Sequence, residues 1–130
     1  MSTNEQGVTR GQKIVSWVLS GLLLLPFVPS AAMKIAQPGD FLAEWSKSFP
    51  AASARPIGIV ELVCVVLYFI PRTSVFGAIL MTGYLGGAVA THVQKSEVAV
   101  LVPILVGVIA WIALYLRTPR LRTLVPTVQR

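Results

Sequence analysis

One carboxylate, Glu61, stands inside the apolar run IGIVELVCVVLYFI at residues 57–70. A charge at the centre of a bilayer costs about 2.5 to 3.5 kcal/mol on insertion scales, so an acid in such a run marks a candidate site. Held without a partner, it favours its neutral form, which suits it to donate or relay a proton to a bound carbonyl, epoxide or quinone. Bonded to Tyr84, or paired with Lys34 or His92, it is instead a structural lock. An imidazole titrates near neutrality, which makes His92, the one histidine of the chain, the second group suited to moving protons. Its plainer reading is a solvated residue at the membrane interface. Glu61 and His92 are thus the candidate catalytic residues, and Lys34, Tyr68, Tyr84 and Thr91 the candidate ligand contacts. Helical spacing places Gly58, Glu61, Cys64 or Val65, and Tyr68 on one face. Tyr84 lies twelve residues after Arg72 and Glu61 eleven before it, so a turn at Arg72 sets them level and lets the tyrosine hydroxyl donate to the acid. Lys34 closes the first apolar segment at the rim of such a site, and Thr91 adjoins His92.

Four apolar segments must position these groups, because a chain that is 55% hydrophobic and 12% charged is built for lipid. The first, residues 14–35, reaches the roughly 20 residues a spanning helix needs and carries Pro26 and Pro29, which predict a kink near Leu25. Its basic start and the small residues at 30–32 also suit a cleavable signal peptide; a retained helix is the reading adopted. The second segment must begin near residues 51–55 to reach across, and it ends before Pro71. The third covers 75–93, where Gly83 and Gly87 form a GxxxG step that predicts close helix packing. The fourth covers 98–116, with Trp111 and Tyr115 in an aromatic belt matched by Trp17. Between the first two lies a loop, residues 37–55, in which Asp40 can cap a short interfacial helix bearing Phe41, Leu42, Trp45 and Phe49. That helix either packs on the bundle as a connector or acts as a lid over a cavity. The fold expected is all-α: an integral membrane four-helix bundle over residues 14–116, between a disordered tail at 1–13 and a basic tail at 117–130 resting on anionic lipid.

The net charge of +6 does not point to nucleic acid, since the basic residues flank apolar runs and form no basic face interleaved with aromatics. They read as topology signals: Arg10, Lys13, Arg72, Arg117, Arg120 and Arg122 gather on one side, while Lys34, Lys47, Arg55 and Lys95 are offset by Asp40, Glu44 and Glu97 on the other. The positive-inside rule then predicts a multi-pass protein with both termini cytoplasmic. Cys64 is the single cysteine, which forbids an intrachain disulfide. Cys64 and His92 stand far apart along the membrane normal, so no metal or haem site is predicted.

The lysine closing the first helix, IGIVEL at 57–62, IPRT at 70–73, GYLGGAVATHV at 83–93, and Trp111 followed by LRTPRLRTLVP at 116–126 together resemble the DoxX-like family. The resemblance implies a small four-helix protein of the bacterial inner membrane, in a family named for a subunit of quinone-linked oxidation and mostly without established activity. Lys34, Glu61, Arg72, Gly86, Gly87 and His92 match its recurring polar positions, and a quinone enters as a candidate ligand. Three functions follow: a site for a lipophilic small molecule with proton-transfer chemistry; a non-catalytic accessory subunit of a membrane oxidoreductase, or a homo-oligomer; and a small transporter or oligomeric pore.

Overall fold

The computed structural model describes residues 7–124 of the chain. α1 spans Arg10–Ala36, α2 Phe41–Trp45, α3 Ala54–Phe69, α4 Ser74–Gln94, α5 Leu101–Arg117 and α6 Pro119–Leu124. Single 3-10 turns at Ala51–Ser53 and Val98–Val100 lead into α3 and α5. There is no strand among the described residues, and four helical segments are long and apolar enough to cross a membrane: Arg10–Ala36, Ala51–Phe69, Ser74–Gln94 and Val98–Arg117. This is the expected all-α four-helix membrane bundle, with α2 as the short helix between the first two spans.

α1 begins four residues before the apolar pattern does, because Thr9 and Gln12 form a capping box. Each side chain accepts the other's backbone N–H at 3.1 Å, so two otherwise orphaned donors are satisfied and Arg10 to Lys13 are helical rather than part of a tail. Residues 1–6 of the expected N-terminal tail and 125–130 of the C-terminal one lie outside the described residues. α1 runs without a break through Pro26 and Pro29 and closes at Gln37, which adopts the left-handed conformation with φ 51°.

The helices form a closed ring in which α1 packs on α3 and α5, and α4 packs on α3 and α5. Buried positions on α1 recur every three or four residues, at Ser16, Ser20, Leu23, Phe27, Ala31 and Lys34. α3 repeats the pattern with Ala54, Gly58, Glu61, Cys64, Val65 and Tyr68. These are the inward stripes of a 3.6-residue period. The opposite faces carry residues such as Leu25, Ile79 and Leu105, exposed by 55% or more. Water would reject that surface and acyl chains accept it.

The bundle has two unlike ends. At the terminal end, where α1 begins and α5 finishes, Arg117 donates to Ser20 Oγ at 2.6 Å and to the Tyr68 carbonyl at 3.0 Å. Its guanidinium lies 4.5 Å and 4.8 Å from the ring centres of Trp17 and Tyr68. Arg122 donates to the carbonyls of Tyr115, Leu116 and Gly7 at 3.2, 2.9 and 2.6 Å. The expectation that both rest on lipid is corrected: helix ends leave carbonyls unpaired, and these two arginines turn inward to satisfy them. Arg120 alone of the three stays exposed. The loop end carries α2, the start of α3 and the end of α4.

Candidate functional site

The site begins with an absent side chain. A Cβ on Gly58 would stand 2.8 Å from Lys34 Cβ and 3.1 Å from the Ala31 carbonyl, so only glycine lets α1 settle this closely on α3. Glu61 is one turn further along α3, and the lysine stem reaches it. Lys34 Nζ donates to Glu61 Oε2 at 2.8 Å, with the side chains 11% and 3% exposed. Ser30, one turn before Lys34 on the same face of α1, donates to the same Oε2 at 3.2 Å and also accepts a hydrogen bond from Lys34. The third partner of the ammonium is Tyr84 on α4, whose hydroxyl oxygen accepts at 3.1 Å. α1, α3 and α4 are therefore stitched together by four polar side chains.

Glu61 is inward and buried, as its position on the helical face requires, but it is not alone. The solitary, neutral acid gives way to an ion pair, because the close approach at Gly58 delivers a cation to it. Lys34 is correspondingly buried and not at a rim. Tyr84 is level with the acid, yet it reaches the site through Lys34, which occupies the bonding position expected for the tyrosine itself.

Two cavities border this cluster. The larger, about 500 Å³, is walled by Lys34, Tyr84, Thr91 and His92 and bordered on the loop side by Trp45 and Phe49. The smaller, about 190 Å³, is bounded by Phe27, Glu61, Tyr84, His92, Pro103 and Val106. Ser30, Tyr84, Ala88 and His92 line both. The imidazole Nδ1 of His92 is 2.6 Å from Glu97 Oε2 in the following loop. Thr91 donates back to the Gly87 carbonyl at 3.0 Å, which orients its side chain on the helix wall.

The aromatic cover is held by its own bonds. Trp45 stacks between Phe41 and Phe49, with ring centres 5.9 and 4.6 Å away. Its indole N–H donates to Ser53 Oγ at 3.1 Å, next to the start of α3. Arg55 Nε donates to the Ile35 carbonyl at 3.1 Å and ties the start of α3 to the end of α1.

Of the six site residues expected from sequence, five border the cavities and Tyr68 does not. It stands two turns, about 10 Å, along α3 from Glu61, fully buried, with its hydroxyl donating to the Ala110 carbonyl at 2.7 Å. Sharing a helix face places residues in one stripe and not at one height. Gly83 and Gly87 also depart from expectation. A Cβ at either would meet nothing within 4 Å, so within the bundle they do not pack a neighbouring helix, and both line the larger cavity. The close contacts fall at Gly58 and at Gly77, where a Cβ would lie 2.3 Å from the Tyr68 backbone nitrogen. Ser30 went unrecognised, although its place one turn before Lys34 in an apolar helix was the available signal.

Neither a curated protein nor a solved structure matches the chain. A model of the DoxX-like family matches residues 18–113, a stretch from α1 into α5 that contains Lys34, Glu61, Tyr84 and His92 and leaves out the basic segment after α5. The chain belongs to the DoxX-like family.

Proposed function

We propose that the cavity beside the Lys34–Glu61 pair takes a lipophilic molecule with a hydrogen-bond-accepting head, a quinone ring being the chemistry that suits it. The observation that carries this reading is a buried ion pair whose lysine and tyrosine partner border a space of about 500 Å³ covered by aromatic side chains. Ligand sites have this size and this mixture of apolar wall and few polar groups. The Tyr84 oxygen already accepts from Lys34, so its own proton is the donor on offer to a ligand carbonyl. Lys34 and Glu61 neutralise one another and hold that tyrosine in place. His92 borders both cavities and adjoins Glu97 at the loop end, so it is the group through which a proton taken up or released by the ligand exchanges with the interface. We place the protein in the bacterial inner membrane with both termini cytoplasmic, on the charge asymmetry of its two ends.

A second reading follows from the same pair. Lys34 and Glu61 bond to each other and to Ser30 and Tyr84 across α1, α3 and α4, the arrangement needed if the cluster serves to lock these helices into an accessory subunit. Mass spectrometry of lipophiles retained on purification separates the two. Gly87→Leu adds side-chain volume where no atom stands within 4 Å of the new Cβ, so it fills the cavity and leaves the ion pair intact. A retained lipophile in the parent protein that is lost in Gly87→Leu, while that variant still folds, supports the binding site. No retained lipophile, or equal retention in the variant, leaves the lock.

A further inference from the structure

A third cavity, of about 750 Å³, opens at the terminal end and is bounded by Lys13, Trp17, Phe69, Arg117, Thr118 and Arg120. Lys13 and Trp17 also belong to an adjoining shallow groove on the surface of α1, shared with Arg10, Ile14 and Val18. The two spaces share these residues: the first offers cations and hydroxyls beside Trp17 and Phe69, and the second lies on a lipid-facing apolar strip whose Ile14 and Val18 are 56% and 58% exposed. Arg117 is committed to Ser20 and Tyr68. Lys13 and Arg120 are exposed, and their charged groups make no hydrogen bond or ion pair among the described residues. No carboxylate among those residues compensates them, since Glu61 is bonded to Lys34 and Asp40, Glu44 and Glu97 lie in the loops at the other end.

We propose that this end of the bundle binds one anionic phospholipid, with its phosphate held by Lys13 and Arg120 in the cavity beside α6 and one acyl chain laid along Ile14, Trp17 and Val18. Charge complementarity selects the head, because basic pockets between spanning helices at the membrane surface take anionic headgroups. The adjoining apolar groove selects a lipid over a soluble phosphate. Trp17 sits where the two meet, the depth at which an indole bridges headgroup and hydrocarbon.

The test is native mass spectrometry of the full-length protein in detergent, titrated with phosphatidylglycerol and, in parallel, with phosphatidylcholine of the same acyl chains. The protein is expected to retain one phosphatidylglycerol in preference to phosphatidylcholine. Each basic residue near an anionic lipid contributes a factor of about five, so Lys13→Gln with Arg120→Gln weakens phosphatidylglycerol binding about thirtyfold. Phosphatidylcholine, whose choline cation offsets its phosphate, is weakened much less. Lys47→Gln with Lys95→Gln, at the loop end, changes neither. Equal retention of the two lipids, an unchanged affinity in the Lys13 and Arg120 variant, or an equal loss in the Lys47 and Lys95 variant would each overturn the site. Displacement of the lipid by an equal concentration of inorganic phosphate would overturn it too, since the acyl groove would then contribute nothing.

Discussion

The Lys34–Glu61 pair is the residue on which the interior turns, and burial decides its energetics. Two charges withdrawn from water recover their desolvation only through close geometry and further bonds, here supplied by Ser30 and Tyr84. Truncating one member leaves the other charged and unpaired, so Lys34→Ala lowers stability by about 3 to 5 kcal/mol. Lys34→Met combined with Glu61→Leu restores most of that loss, since an apolar pair of similar volume carries no such penalty. Denaturant titrations in detergent micelles check both; single variants costing below about 1 kcal/mol would match an exposed pair and contradict the burial. Glu61 was legible in the sequence because one acid in an apolar run has few places to go. Which of its three candidate partners it takes was not, because Lys34 is 27 residues away. Periodicity orients one helix at a time, whereas the choice among Lys34, Tyr84 and His92 depended on how closely α1 settles against Gly58.

At the scale of the helices, the number and order of the spans were readable, as were ends set by composition, such as the stop before Pro71. The start of α1 was missed because the Thr9–Gln12 capping box lies upstream of the apolar period. The role of the glycines was misread for another reason: GxxxG names a smooth face and does not say what it faces. Gly83 and Gly87 open a cavity, while Gly77 and Gly58 carry the close approaches. Gly77→Ala forces a methyl group to 2.3 Å from the Tyr68 backbone nitrogen, which no rotamer relieves, and costs about 1 to 3 kcal/mol or more. Gly83→Ala meets no atom within 4 Å and stabilises by about 0.5 to 1 kcal/mol through lost freedom of the unfolded chain. Thermal unfolding of the two variants side by side checks this, and equal effects would mean that the α3–α4 contact is looser than described.

Across the whole molecule, the two ends differ in charge as well as in shape. Arg10, Lys13, Arg72, Arg117, Arg120 and Arg122 face no acid at the terminal end among the described residues, whereas the loop end mixes both signs. A fluorescent protein fused after Arg130 should therefore mature and fluoresce, and an exported phosphatase fused there should stay inactive; the reverse pattern would invert the topology and put the aromatic cover in the cytoplasm. The central claim, a ligand beneath that cover, is tested most directly by Trp45, which walls the larger cavity. With Trp17 and Trp111 replaced by Phe, Trp45 is the one fluorophore of its kind left in the chain. A short-chain quinone should then quench it saturably, and Gly87→Leu should abolish the saturation. Quenching that rises linearly with quinone and is the same in both proteins would contradict the site.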